Sequence, residues 1–180
     1  LVGHNMVRKE IIMRLDNEEM DPRTETLLFQ SARSQIVSQV LRPNLEIGRL
    51  VISDRYADST LAYQGYGHGQ DIKMIQNLID YATYGLTPDL TILFDVDPLE
   101  GLKRRQLAKG EWNRLDDKAL AFHNRVREGY LNLVEREPER WLVIDATKSI
   151  EEVGLELRQK IEGRLMFDGF IEGNQRGVER

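Results

Sequence analysis

Asp54, Arg55 and Tyr56 follow directly on a short apolar run, Leu50 to Ser53. A run of this length that is apolar on both faces is typical of a strand buried on both sides, as in a parallel sheet. Ligands of open α/β sheets bind at the carboxyl ends of the strands. The guanidinium of Arg is a planar donor fork that suits phosphate, and an adjacent Asp can orient the fork or hold a metal-bound water. The sequence therefore predicts a phosphate site at the end of a strand over 50–53.

A polar segment comes next, and its side chains suit a small planar ligand that carries a sugar. Hydroxyl groups and an amide are supplied by Ser59, Thr60, Tyr63 and Gln64. The i, i+4 spacing puts Thr60 and Gln64 on one face of a helix. The alternative is a strand end capped by an ion pair and followed by an ordinary polar helix, because charged residues at strand ends also serve structural ion pairs.

The segment DRYADSTLAYQGYGHG, residues 54–69, resembles the signature segment of thymidylate kinases. Three further segments match the same family in the same order along the chain: DPRTETLLFQSAR, GLTPDLTILFDVDPLEGLKRR and NRLDDKALAFHNRVREGYL. The resemblance implies ATP-dependent phosphorylation of dTMP to dTDP, with ATP as the phosphate donor and Mg²⁺ as cofactor. It also implies a homodimer.

The same resemblance implies a role for each matching residue. Phe29 would cover the thymine ring, Arg33 would contact its edge, and Tyr63 would face the sugar. Arg55 would bridge the acceptor phosphate and the transferred group, while Asp54 would orient it or bind Mg²⁺ through water. The remaining dTMP contacts would come from Arg8, Ser59, Thr60 and Gln64.

A basic stretch from Lys103 to Arg114 carries five basic residues and one acid in a chain whose net charge is −5. On its own, such a stretch is also typical of a solvated helix end. By resemblance, residues 103–117 form a lid over the ATP phosphates, from which Arg105 and Arg114 would act. Many family members have Asp-Arg where this chain has Asn113-Arg114.

Composition restricts the class of protein further. The chain has 180 residues, 41% of them hydrophobic, which suits one domain over residues 1–180. It has no Cys and three scattered His, so no metal site is predicted from its side chains alone. The acidic balance argues against nucleic-acid binding, and no apolar run is long enough for a membrane span. We expect a cytoplasmic protein.

Strands alternate with helices along the chain, which predicts an α/β fold with a parallel sheet and flanking helices. Further strands are predicted over Leu90 to Val96 and Trp141 to Asp145. A helix should begin at Asp21-Pro22 and end between Pro43 and Gly48. Its core stripe is predicted at Leu28, Ala32, Ile36 and Val40.

The sequence contains no GxxxxGK[ST] phosphate loop, although the P-loop kinase fold opens with a strand, this loop and a helix. We therefore expect the first βαβ portion to precede Leu1 in a longer chain, and the 180 residues alone to be inactive. Removing a central strand would leave buried backbone groups unpaired, each at a cost of roughly 1–3 kcal/mol.

Two other functions remain open on the residues alone. A related deoxynucleoside or nucleotide kinase would share the Asp-Arg-Tyr arrangement, but it would not need the pair Phe29 and Arg33. A catalytically inactive nucleotide-binding or dimerisation module would need no phosphate loop. The nucleotides that bind the chain would distinguish these functions.

Overall fold

The computed structural model describes residues 20–107, 113, 115–116 and 118–167, and all structural statements below concern this part of the chain. Its helices are α1 (Pro22–Ile36), α2 (Arg42–Glu46), α3 (Ala57–Thr60), α4 (Ile72–Thr83), α5 (Pro98–Leu107), α6 (Leu120–Arg136) and α7 (Ile150–Phe167). Two π-helical segments, Val37–Leu41 and Leu61–Gly67, continue α1 and α3. Arg8 and Arg114 lie outside the described residues.

The sheet of the described residues consists of two parallel strands, β1 (Thr91–Asp95) and β2 (Trp141–Asp145). They pair in register from Thr91 opposite Trp141 to Asp95 opposite Asp145. A helix follows each strand, α5 after β1 and α7 after β2, as expected for parallel strands that need crossover connections. The predicted α/β class and both of these predicted strands are therefore confirmed.

The prediction of a buried strand over 50–53 is wrong for this structure. These residues have no regular secondary structure, and Leu50 and Ile52 are 81% and 88% exposed. A strand is defined by a hydrogen-bonded neighbour, and in the described sheet 50–53 pairs with neither β1 nor β2. The pairing of this stretch with the first strand of a P-loop kinase fold stays a prediction.

Side-chain caps mark the starts of several helices, among them α1, α4 and α7. Asp21 accepts hydrogen bonds from the backbone amides of Arg23 and Thr24, which starts α1 as predicted. Asp71 accepts from the amide of Met74 and starts α4 in the same way. At the start of α7, Ser149 and Glu152 form the reciprocal bonds of a capping box.

The predicted core stripe of α1 is correct only at Ala32, which is buried, whereas Leu28, Ile36 and Val40 are partly exposed. The buried positions of α1 and its π-helical continuation are Glu25, Thr26, Gln30, Ala32, Arg33, Val37 and Leu41. The first half of this buried face is polar because it contacts polar side chains of the segment 60–70. A search for an apolar stripe cannot find such a face.

The centre of the core lies between α6 and the π-helical segment Leu61–Gly67. Two glycines permit the close approach of these elements, because a Cβ on Gly67 would lie 2.7 Å from the Phe122 ring. A Cβ on Gly129 would likewise lie 2.7 Å from the ring of Tyr66. The segment 57–67 is therefore held firmly on α6 while its other face contacts α1.

Candidate functional site

Arg55 has a left-handed backbone, with φ of 63°. Among the described residues other than glycine, only Tyr84 shares this conformation. The hydroxyl of Ser53 donates to the carbonyl oxygen of Arg55 at 2.9 Å, and the guanidinium lies over the ring of Tyr63, 4.8 Å from its centroid. A non-glycine residue in this region costs free energy and is enriched at functional sites, where the surrounding structure holds it in place. Arg55 is itself exposed.

Asp54 is exposed and forms no hydrogen bond or ion pair with any described residue. It therefore does not orient Arg55 through a direct hydrogen bond, which was one of the two roles expected for it. Its carboxylate remains available to a water molecule or a hydrated cation. Within the described part of the chain, no three acidic or histidine side chains come together as a metal site.

Arg33 and Thr60 meet in the buried interface between α1 and α3. The Nη1 atom of Arg33 donates to Oγ1 of Thr60 at 2.8 Å, and Nε2 of Gln30 donates to the same oxygen at 3.1 Å. The Arg33 guanidinium also lies over the ring of Tyr56, 5.4 Å from its centroid, beside Arg55 in the chain. The structure therefore brings two of the predicted base-contacting residues into direct contact.

The charge of Arg33 is unusual for a buried group. Its side chain is 9% exposed, and no carboxylate of the described residues forms an ion pair with it. Burial lowers the pKa of the Arg33 guanidinium to about 10, so it remains a cation at neutral pH. A buried cation that hydrogen-bonds only to a neutral hydroxyl is well placed to bind a ligand with a partly negative oxygen.

Gln64 lies one turn beyond Thr60 and contacts the same helix, as the sequence spacing predicts. Its Nε2 donates to Oε1 of Glu25 at 2.7 Å, and Nε2 of His68 lies 3.1 Å from the same oxygen. Glu25 is fully buried. The sequence gives one usable signal for it, since Glu25, Phe29 and Arg33 are spaced four residues apart on α1.

Tyr63 and Ser59 face α6. The Tyr63 ring packs edge-on against Tyr130, with centroids 6.4 Å apart, and the hydroxyls of Ser59 and Tyr130 are 2.8 Å apart. Burial raises the pKa of the Tyr130 hydroxyl to about 12, so this group is protonated at neutral pH. Tyr130 was not among the site residues predicted from the sequence.

Phe29 is partly exposed on α1. It belongs to neither of the two hydrophobic clusters that the described residues form. Phe29 is therefore outside the described hydrophobic core, and its stacking on a ligand stays a prediction.

A buried ion pair anchors α3, and sequence reasoning missed it. Arg140 donates to both oxygens of Asp58 at 2.8 and 2.9 Å, and to Oγ1 of Thr91 at 2.8 Å. Bidentate pairing gives geometric specificity as well as energy. These contacts tie the helix that carries Thr60 to the starts of both strands.

Arg104 and Arg105 on α5 point in different directions, which the sequence could not decide. Arg104 donates to the carbonyl oxygens of Ala146 and Thr147, after β2. Arg105 instead approaches Asp116, with Nε 3.3 Å from Oδ2. Asn113 donates to the same carboxylate through Nδ2 at 2.6 Å. The Asn that replaces the Asp of many family members therefore forms a hydrogen bond within the predicted lid.

Comparison of the sequence with known proteins shows the family of this chain. The thymidylate kinase family model matches residues 3–157. A thymidylate kinase from Roseiflexus castenholzii is 44% identical over 166 residues, which cover 86% of this chain and 72% of the relative. One from Deinococcus radiodurans is 45% identical over 146 residues, covering 81% and 70%, and one from Maridesulfovibrio salexigens is 40% identical over 171 residues, covering 92% and 79%.

The parallel α/β architecture is that of the P-loop kinases, as the sequence predicts. Within that class, this chain belongs to the thymidylate kinase family.

None of the described helices combines the length and apolarity that crossing a membrane requires.

Proposed function

We propose that this chain takes part in the phosphorylation of dTMP to dTDP with ATP as the phosphate donor, and that its described residues bind dTMP. Membership of the thymidylate kinase family supports the reaction. The observation that supports this substrate is the contact between Arg33 and Thr60, because it holds between α1 and α3 a buried cation that has no ion-pair partner among the described residues. A carbonyl oxygen of thymine is a suitable acceptor for such a cation.

The base and sugar would be bound between α1 and the segment 57–67. Phe29 would stack on the thymine ring, as aromatic side chains do with bases. Arg33, Thr60 and Gln64 would hold the edge of the base. Tyr63, already fixed by Tyr130, would form a wall where a ribose 2′-hydroxyl has to fit.

The phosphate end would be bound by Arg55, with Ser59 and Arg8 as further dTMP contacts. Phosphoryl transfer is catalysed mainly by positioning and by neutralising charge on the transferred group. The left-handed backbone of Arg55 supports this role, since it holds a guanidinium beside the sugar-facing Tyr63. Arg105 and Arg114 would contribute charge from the ATP side.

Mg²⁺ is part of the proposal as a partner of the nucleotides. Mg²⁺ keeps several waters and is usually held by one or two carboxylates together with substrate phosphates. Asp54 fits this mode, because its exposed carboxylate has no described partner. When bound, the ion would neutralise phosphate charge. We also propose a homodimer in the cytoplasm, as the family resemblance implies.

A thermal-shift panel tests the substrate. The full chain is heated with dTMP, thymidine, dCMP, dGMP or AMP, and stabilisation by dTMP above the others is expected because binding to the folded state raises its stability. A coupled assay with ATP, Mg²⁺ and dTMP then measures turnover. Stabilisation by another monophosphate would instead identify a related nucleotide kinase. Stabilisation by none of these nucleotides would contradict the proposal and favour a module without this activity.

A further inference from the structure

Tyr130 meets the ring of Tyr63, the side chain that the proposed function places at the sugar. The two rings pack edge-on, with centroids 6.4 Å apart and planes 81° apart. Tyr63 is partly exposed, so its ring can contact a ligand. The Arg55 guanidinium lies over the same ring, 4.8 Å from its centroid. Because Arg55 is proposed to bind the phosphate, and the sugar is bonded to that phosphate, Tyr130 supports a ring beside the sugar.

Contacts on its other sides keep Tyr130 itself in place. Its ring meets the ring of Trp141 edge-on, with centroids 6.4 Å apart, and Trp141 is 5% exposed. Its hydroxyl lies 2.8 Å from the hydroxyl of Ser59 on α3. Side chains of a close-packed interior cannot shift far without opening voids or clashing with their neighbours. Tyr130 therefore gives Tyr63 a fixed support.

Phe122 supports Tyr63 from the same helix, about two turns before Tyr130. The ring centroids of Phe122 and Tyr63 are 6.1 Å apart, and the planes meet edge-on at 65°. Phe122 is 5% exposed, and a Cβ on Gly67 would lie 2.7 Å from its ring, so it has little room to move. The two rings of α6 therefore decide how far Tyr63 can retreat from a ligand.

A ring that cannot retreat distinguishes a deoxyribose from a ribose. The two sugars differ by the 2′-hydroxyl, so a ribonucleotide is larger at one position. Extra atoms forced into a well-packed site that cannot give way lower affinity by about 5–150-fold. If the ring behind Tyr63 were missing, Tyr63 could move back and most of that penalty would disappear.

We propose that Tyr130 is a positioning residue that holds Tyr63 rigid and thereby makes the site select a deoxyribonucleotide over a ribonucleotide. This inference rests on the proposed function, because it assumes that Tyr63 faces the sugar. Tyr130 acts through Tyr63 and does not touch the reacting atoms.

Two substitutions of Tyr130 separate its ring from its hydroxyl. Tyr130→Leu removes the ring and leaves space into which Tyr63 can move. Tyr130→Phe keeps the ring behind Tyr63 and loses only the hydroxyl contact with Ser59. Ile79→Ala is the control for a weakened core, because Ile79 is 3% exposed on α4 and belongs to the hydrophobic cluster that does not include Tyr63.

Calorimetry on the full chain measures the dissociation constants of dTMP and of ribothymidine 5′-monophosphate, which differs from dTMP only in its 2′-hydroxyl. Urea unfolding shows that each variant is folded. The wild-type chain should prefer dTMP by at least about 5-fold. Tyr130→Leu should bind the ribonucleotide at least about 3-fold more tightly than the wild-type chain does, with little change for dTMP. A merely weakened fold would not raise any affinity. Tyr130→Phe and Ile79→Ala should keep the wild-type preference.

The role through Tyr63 is tested in a Tyr63→Leu background, where adding Tyr130→Leu should not change the preference further. A further change there, an unchanged preference in folded Tyr130→Leu, or an equal loss of affinity for both nucleotides overturns the role of Tyr130 alone. The same holds if Tyr130→Phe or Ile79→Ala loses the preference as fully as Tyr130→Leu. If Tyr130→Leu does not fold, Tyr130→Met decides in its place. A wild-type chain that binds both nucleotides equally contradicts the position of Tyr63 at the sugar, and one that binds neither contradicts the proposed function itself.

Discussion

The left-handed backbone of Arg55 allows a test that separates strain from side-chain function. The comparison is between Arg55→Gly and Arg55→Ala. Both variants lose the guanidinium and its contact with the Tyr63 ring, so those losses cancel. The difference that remains is the cost of holding an alanine at φ of 63°.

The expected difference follows from two opposing terms. An L-residue in the left-handed region costs about 1–2 kcal/mol, which glycine avoids. Glycine loses more backbone entropy on folding, about 0.5–1 kcal/mol relative to alanine. Arg55→Gly should therefore be more stable than Arg55→Ala by about 0.5–1 kcal/mol.

Urea unfolding of the full chain, followed by circular dichroism, measures this difference as a shift of the midpoint at constant slope. Tyr84 is the matched control, because its φ of 55° at the end of α4 should give glycine the same advantage over alanine. If the Tyr84 pair shows the gain and the Arg55 pair does not, the strain assigned to Arg55 is absent.

Affinity for dTMP should depend on the guanidinium and not on the backbone conformation. Both Arg55 variants should lose about 10–100-fold in affinity for dTMP, because hydrogen bonds to charged groups contribute about 1.5–3 kcal/mol. Their affinity for thymidine, which lacks the phosphate, should change little. An equal loss for both ligands would mean that Arg55 does not bind the phosphate.

Three further predictions concern the pocket and its support. Phe29→Ala should weaken dTMP binding by about 1–3 kcal/mol, the scale of stacking between a base and an aromatic ring; a loss of stability with unchanged affinity per folded molecule would instead make Phe29 a core residue. Arg33→Met should raise the free energy of unfolding at neutral pH by at least about 1 kcal/mol and should weaken dTMP binding. The pKa of Arg33 is lowered by burial, so the fold disfavours the charged form of this side chain. That cost is fully present below pH 10 and is relieved above it. A less stable Arg33→Met would contradict this reasoning. Asp58→Asn should destabilise the chain by about 1.5–3 kcal/mol in urea, the scale of hydrogen bonds to charged groups, since it removes the bidentate carboxylate from Arg140 while the ion pair with Glu137 remains. A change below about 1 kcal/mol would show that the pair is not important to the fold.

Local sequence determined the elements that need only local chemistry. The caps at Asp21, Asp71 and Ser149 are hydrogen bonds between residues two or three positions apart, so composition and spacing predict them directly. The strands over 91–95 and 141–145 were predictable because runs of apolar and β-branched residues with turns on either side are typical of strands. The candidate pocket residues were predicted differently, from the family resemblance, position by position.

Tertiary structure decided which face of α1 is buried. The sequence has an apolar stripe at Leu28, Ile36 and Val40, yet the buried face includes Glu25, Gln30 and Arg33. Helical periodicity shows only which side chains share a face. Whether a polar face is solvated or buried depends on the partners that satisfy it, and those partners lie in residues 60–70.

The same reason explains the stretch 50–53 and the backbone of Arg55. An apolar run indicates that a strand is possible, but a strand exists only where another strand supplies hydrogen bonds, and β1 and β2 do not supply them to 50–53. The left-handed φ of Arg55 is unfavourable for its residue type, so no local preference could predict it. Contacts made with Ser53 and Tyr63 outweigh that preference, and the sequence alone does not reveal contacts of this kind because their geometry is set by the folded chain.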